Sequence, residues 1–140
     1  MLKIRIISVG KTKEAWLETG LDEYVKRLKP TAAIEFTWVK NDEQLLQIIE
    51  KEPLTICLDP SGKLMTSEQF STFLQTKIEE GGSRVAFVIG GAEGLPSQLK
   101  KHSTLFSLSP LTMTHQLTRL VLMEQIYRAL EIAKGSPYHK

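Results

Sequence analysis

The sequence predicts an α/β fold, a mostly parallel sheet with helices on both faces. Three observations lead there. Strand and helix patterns alternate strictly along the chain, five times over. Two runs, Leu54–Leu58 and Val85–Ile89, are apolar but for Thr55, as in parallel strands covered on both sides. The helical pattern that ends at Lys134 is apolar on too many sides to lie on an open surface.

Each element has its own justification. Leu2, Ile4 and Ile6 alternate with Lys3 and Arg5, and Ile7 and Val9 then fill the other face, so this strand starts half exposed and ends buried. Gly10-Lys11-Thr12-Lys13 is the turn after it. Leu17, Leu21, Tyr24, Val25 and Leu28 follow at helical spacing, with Asp22/Lys26 and Glu23/Arg27 as pairs on the outer face, and Pro30 ends the helix. Ile34, Phe36 and Trp38 alternate with Glu35 and Thr37 in a second strand. Asp42 to Lys51 reads as a short helix. The strand Leu54–Leu58 stops at Asp59-Pro60-Ser61-Gly62, residues of a turn in turn order. Thr66 and Gln69 form a capping box for a helix that buries Phe70, Phe73, Leu74 and Ile78 and ends at Gly81-Gly82. Gly90-Gly91-Ala92-Glu93-Gly94 closes the strand Val85–Ile89. One or two helical turns at Ser97–His102 precede the last strand, Leu105–Leu108.

The loop that follows is irregular, because Pro110 offers no backbone donor and pushes Ser109 away from helix. Thr112 or Thr114 caps the final helix. Leu117, Leu120, Val121, Tyr127 and Leu130 make one stripe on it; Leu122, Ile126, Ala129 and Ala133 make another. Both flanks are therefore expected to be buried, the second most simply by another subunit. Gly135 and Pro137 stop the helix. Nothing resembles a repeat or a linker, so residues 1–140 read as a single domain.

The bulk numbers narrow the class. At 41% hydrophobic and 24% charged, the 140 residues can build a real core, which sets disordered and fibrous classes aside. A net charge of +2 permits an anionic partner without demanding one. The single cysteine, Cys57, sits among Leu54, Ile56 and Leu58, which excludes an internal disulfide framework and fits a reducing cytosol. Lys3 and Arg5 break the first apolar run, so no signal peptide is expected, and no stretch is long enough to span a bilayer. The expected location is the cytoplasm, without a membrane partner. His102, His115 and His139 lie far apart and share no zinc-ligand spacing with the lone cysteine, so no metal is expected.

Open parallel sheets bind ligands beyond the carboxyl ends of their strands. Three turns there are unusual: Leu58 to Gly62, Gly90 to Gly94, and Leu108 to Met113. The glycine loop is G-G-x-x-G rather than the dinucleotide fingerprint. It either makes a sharp strand-to-helix turn or lets a ligand lie against bare backbone. His115, on the first helical turn, is a structural residue or a base. Glu124/Arg128 is a helix-stabilising pair or an arginine held at an interface. The tail Ser136-Pro137-Tyr138-His139-Lys140 is a frayed terminus or a stacking surface for a nucleotide.

Taken together, Val9-Gly10-Lys11, Val88 to Leu95, Ser107 to Thr112, His115-Gln116-Leu117-Thr118-Arg119, Glu124 to Ala129 and Tyr138-His139-Lys140 closely resemble the RlmH-type ribosomal RNA methyltransferases of the SPOUT superfamily. The likeness spans essentially the whole chain. It implies a homodimer with a trefoil knot in the C-terminal half and an S-adenosylmethionine site. It implies methylation of N3 of a pseudouridine in large-subunit (23S) ribosomal RNA, with the assembled ribosome as the expected partner. By motif matching, the cofactor positions are Leu58, Gly90, Leu108, Ser109, Pro110, Leu111, Thr112 and Met113. His115, Arg128, Tyr138 and His139 are the catalytic candidates, with His115 or His139 taking the imide proton; Lys11, Lys13, Arg119 and Lys140 are the RNA contacts. The chain departs from the pattern at Thr114, often proline, at Lys140, often arginine, and in a short segment between Trp38 and Leu54. Two rival readings are a nucleotide- or flavin-binding module, poorly served by Gly94-Leu95-Pro96 as a phosphate cradle, and a dimeric scaffold whose glycine loop only turns the chain.

Overall fold

The computed structural model describes residues 1–12 and 14–139. The elements are β1 (Leu2–Val9), α1 (Ala15–Leu28), β2 (Ala32–Val39), α2 (Asp42–Ile49), β3 (Thr55–Leu64), α3 (Ser67–Glu80), β4 (Arg84–Ile89), α4 (Ser97–His102), β5 (Thr104–Ser107) and α5 (His115–Lys134). The strands form one parallel sheet in the order β2-β1-β4-β3-β5. Period-2 alternation divides its side chains between two cores. Ile4, Ile6, Ile56, Val85 and Phe87 face α1, α3 and α5, whereas Ile7, Cys57, Ala86 and Val88 face α2 and α4. The sheet is thus covered on both sides, as the continuous apolar runs require. No helix among the described residues is long and apolar enough to cross a membrane.

Local chemistry sets the helix starts. Asn41 caps α2 through Gln44, and the capping box at Thr66 and Gln69 closes on α3. Thr114, rather than Thr112, caps α5 by accepting from the Leu117 amide at 3.2 Å. Gly135 takes the left-handed conformation that ends that helix.

Two expectations are corrected. The strand read as Leu54–Leu58 does not end at Asp59. The turn chemistry is present, since the Asp59 carboxylate accepts from the Ser61 amide and hydroxyl. It makes a bulge rather than a stop. Leu58 and Lys63 both pair with Phe106, so the residues between them leave the ladder and the strand resumes through Leu64. The second correction concerns α5. Much of its apolar surface is filled within the chain, by α1 on one side and α3 on the other, while Leu117 and Ala133 stay exposed. Ser71 Oγ donates to the Ala129 carbonyl at 2.6 Å, and Ser67 Oγ to Gln125 Oε1 at 2.8 Å, across the α3 contact. The helix's apolar character therefore does not by itself call for a second subunit.

Candidate functional site

The carboxyl ends of β3, β4 and β5 open into a cavity of about 610 Å³, within the range of small-molecule sites. Its walls are the three turns that stood out in the sequence. Leu58, Asp59 and Pro60 come from the β3 bulge; Ile89, Gly90, Gly91, Ala92 and Gly94 come from the end of β4 and its loop. Ser107 to Ser109 and Leu111 to Met113 form the third wall, with Thr114, His115 and Thr118 from the start of α5. Of the cofactor positions implied by the resemblance, Leu58, Gly90, Leu108, Ser109, Leu111, Thr112 and Met113 line it, while Pro110 lies in the same loop, exposed and off the wall.

The walls are held from within. A Cβ at Gly90 would come to 2.6 Å from the Gly94 backbone, so only glycine allows the two arms of that loop to meet. The Gly94 amide donates to the Gly91 carbonyl at 3.0 Å and locks the turn. Ser107 Oγ donates to the Ser109 carbonyl at 3.1 Å, and Ser109 Oγ accepts from the Leu111 amide at 3.0 Å, which leaves Leu111 projecting at 77% exposure. The surface so made combines apolar faces with open backbone around the glycines.

Two titratable side chains reach this wall. Burial works against an ionised Asp59, but the Ser61 bonds and Lys100, 3.7 Å away, outweigh it and hold the carboxyl below its usual range. The sequence singled out the turn that holds Asp59 but gave the carboxylate no role, because Asp-Pro-Ser-Gly reads so clearly as a loop. His115 is pushed below the ordinary imidazole value, first by burial and then by the Arg119 guanidinium. It is therefore neutral near pH 7, the form a proton acceptor needs.

The remaining sequence candidates fall elsewhere. Arg128, Tyr138 and His139 come together at the far end of α5, more than three turns from His115 and about 20 Å along the axis at 1.5 Å per residue. There Glu124 accepts from Arg128 Nη2 at 2.8 Å and from the Tyr138 hydroxyl at 2.7 Å. Arg128 Nη1 lies 3.0 Å from His139 Nδ1. Arginine can only donate, so Nδ1 accepts and the Nε2 hydrogen faces Glu68 at 3.1 Å. The Arg128 guanidinium also stacks over the Tyr138 ring, 4.9 Å from its centre. Burial and then Glu124 push the Tyr138 hydroxyl up to about 12. From Ser136 to His139 the tail is docked, not frayed. Lys11 is exposed beside the start of α5, its carbonyl accepting from Gln116 Nε2 at 3.1 Å. Arg119, expected to touch RNA, is instead fully buried with its donors spent inside the protein. Lys13 and Lys140 lie outside the described residues.

Comparison with known proteins adds the family context. Residues 2–139 match the family described as "predicted SPOUT methyltransferase". A ribosomal RNA large subunit methyltransferase H from Protochlamydia amoebophila is 63% identical over 140 residues, covering the whole of both chains. The protein of that name from Thermus thermophilus is 39% identical over 99% of each chain. Its namesake from Halothermothrix orenii is 40% identical over 159 aligned positions, which span 99% of this chain and all of that one. Solved structures share the fold at low identity. A protein described as a "probable methylase family protein" from Haemophilus influenzae superposes with a TM-score of 0.59 at 9% identity, over 99% of this chain and 70% of its own. A Legionella pneumophila protein solved with the bound cofactor SAM gives 0.53 at 13%, over 92% of this chain and 66% of its own.

Proposed function

The chain belongs to the SPOUT methyltransferase family, and we propose that it transfers a methyl group from S-adenosylmethionine to N3 of a pseudouridine in large-subunit ribosomal RNA. One observation supports this most: the cofactor positions inferred from motifs, scattered from Leu58 to Met113 in sequence, line a single cavity in every case but Pro110. The residues present fit such a group. Leu58, Leu108 and Leu111 offer apolar faces to an adenine, and the Gly90–Gly94 loop offers backbone with no side chain in the way. When bound, S-adenosylmethionine supplies an electrophilic methyl group on a sulfonium.

The protein's share of the work is placement, exclusion of water and proton removal. The base must leave its stack to reach the cavity, and its N3 proton must go as the new N–C bond forms. His115, neutral and at the cavity edge, is the group we assign to take that proton. Lys11, at the end of the first strand on the same side, is placed to meet the RNA backbone.

The cluster of Arg128, Tyr138 and His139 lies too far along α5 to serve the cavity of its own chain. We read it as serving a second copy's cavity in a homodimer. The exposed Trp16 and Leu117 supply apolar surface for such a contact. We also read the segment from β5 into α5 as the knotted one, the location as cytoplasmic and the substrate as the assembled ribosome.

Calorimetry with S-adenosylmethionine, followed by transfer of labelled methyl to ribosomes lacking the modification, tests this reading. We expect saturable binding and one methyl per ribosome. Absence of binding both with and without ribosomes contradicts it.

A further inference from the structure

Among the described residues, Arg119 is the largest fully buried side chain. A guanidinium has five N–H donors. Here all are used: Nε on Ser8 Oγ at 3.0 Å, Nη1 on Thr12 Oγ1 at 3.1 Å and Gln116 Oε1 at 3.2 Å, and Nη2 on the carbonyls of Val9 at 3.0 Å and Gly10 at 2.9 Å. Its face lies over the Trp38 ring, 4.5 Å from the centre. Every acceptor is neutral. Among the described residues no carboxylate lies within salt-bridge distance of it.

Burying a charge without an opposite partner is costly, and cores usually avoid it. Burial lowers the group to about 10, which still leaves it charged near neutrality. A stability role alone would be met more cheaply by an apolar side chain. The bonds show what the charge holds. Four of the five acceptors belong to Ser8, Val9, Gly10 and Thr12, at the end of β1 and the turn after it; the fifth, Gln116, is on the first turn of α5. Gly10 has φ +89°, a conformation other residues rarely adopt, which lets two successive carbonyls meet one nitrogen. Gln116 closes the ring by donating to the Lys11 carbonyl at 3.1 Å. His115 precedes Gln116 and lines the cavity; Lys11 stands on the tied turn.

We propose that Arg119 is a positioning residue for the RNA substrate, clasping the turn after β1 to the start of α5 so that Lys11 and His115 form one rigid rim at the cavity mouth. The proposal rests on the methyltransferase reading for its substrate. The clasp itself does not. The charge matters because charge-assisted bonds to five acceptors fix two separate elements in a way that no shorter donor can repeat.

Arg119→Lys keeps the charge but has three donors and no planar fork. We expect its affinity for S-adenosylmethionine to stay within about twofold while KM for the ribosomal substrate rises and turnover falls, so that kcat/KM drops about 10- to 100-fold, the penalty typical of a misplaced reacting group. Independently of activity, the Gly10 amide, bonded to the Val39 carbonyl at 2.8 Å in β2, should exchange with solvent faster in the variant. A wild-type KM in Arg119→Lys overturns the positioning role, whatever Gly10 does, and wild-type Gly10 protection overturns the clasp. Should Arg119→Lys fail to fold, Thr12→Val removes a single acceptor and must raise both KM and Gly10 exchange; no change in either overturns the proposal. Inactivity of the wild-type protein on ribosomes would count against the methyltransferase reading, with Gly10 exchange still deciding the clasp.

Discussion

His115 carries the sharpest residue-scale prediction. His115→Ala should bind S-adenosylmethionine normally and lose about 10²- to 10⁴-fold in turnover, the usual worth of a positioned base. Wild-type turnover in that variant removes it from the mechanism. The sign of its pH effect follows from burial and the Arg119 charge, both of which disfavour the imidazolium in the folded protein. The unfolded chain takes up its proton near the ordinary value of 6.5, before the folded protein does. His115 thus costs no stability above pH 6.5 and costs progressively more as pH falls from there to its lowered folded value. In chemical denaturation, His115→Ala should lose stability less steeply than wild type below pH 6.5. A steeper loss would contradict the assignment. Gly90 is the second test at this scale. Gly90→Ala must push Gly94 away and should cost about 1–3 kcal/mol along with cofactor affinity. Normal affinity in a folded Gly90→Ala would show that the turn is only a turn.

Among the elements, α5 organises the C-terminal half. Leu122, Met123 and Ile126 are fully buried between it and the sheet, so Ile126→Ala should lower stability by about 2–5 kcal/mol, read from denaturant midpoints. The tail docked on its far end predicts the opposite pattern. Ending the chain after Gly135 should leave cofactor affinity intact and reduce methyl transfer, whereas loss of affinity with transfer preserved would refute the role given to Tyr138 and His139. What the sequence disclosed at this scale followed from periodicity. The buried runs of β3 and β4 and the capping box of α3 are short-range patterns that the structure has; of the α5 stripes, it buries Leu122, Ile126, Ala129 and Leu130. The β3 bulge was not legible, since Asp-Pro-Ser-Gly has the same local chemistry whether or not a strand resumes beyond it. Nor could α5's stripes say whether their neighbours were α1 and α3 or another chain, because burial has no sender's address in sequence. Arg119 misled for a related reason: nothing in His-Gln-Leu-Thr-Arg says that the arginine is buried, and only the fold gathers five neutral acceptors around it.

For the whole molecule, the sheet order β2-β1-β4-β3-β5 matters most, because it sets the ends of β4, β3 and β5 side by side. Strands placed elsewhere would scatter Leu58, Gly90 and Leu108. The sequence showed which turns were unusual, and the family resemblance placed cofactor positions in all three; their convergence depends on long-range strand order, which neither supplied. The separation of His115 from the Arg128 cluster belongs to this scale too. If a dimer joins them, mixing inactive His115→Ala with inactive Arg128→Ala should restore up to about a quarter of wild-type transfer through random pairing that rebuilds one complete site per mixed dimer, half of the dimers formed. No restoration would contradict a site shared between two copies. The most direct test of the account is hydrogen exchange across the chain with and without S-adenosylmethionine. Protection should appear together at residues 58–60, 89–94 and 107–115 and leave the tail at 136–139 unchanged. Protection confined to any other surface, or none at saturating cofactor, would contradict a methyl-donor site built from those three turns.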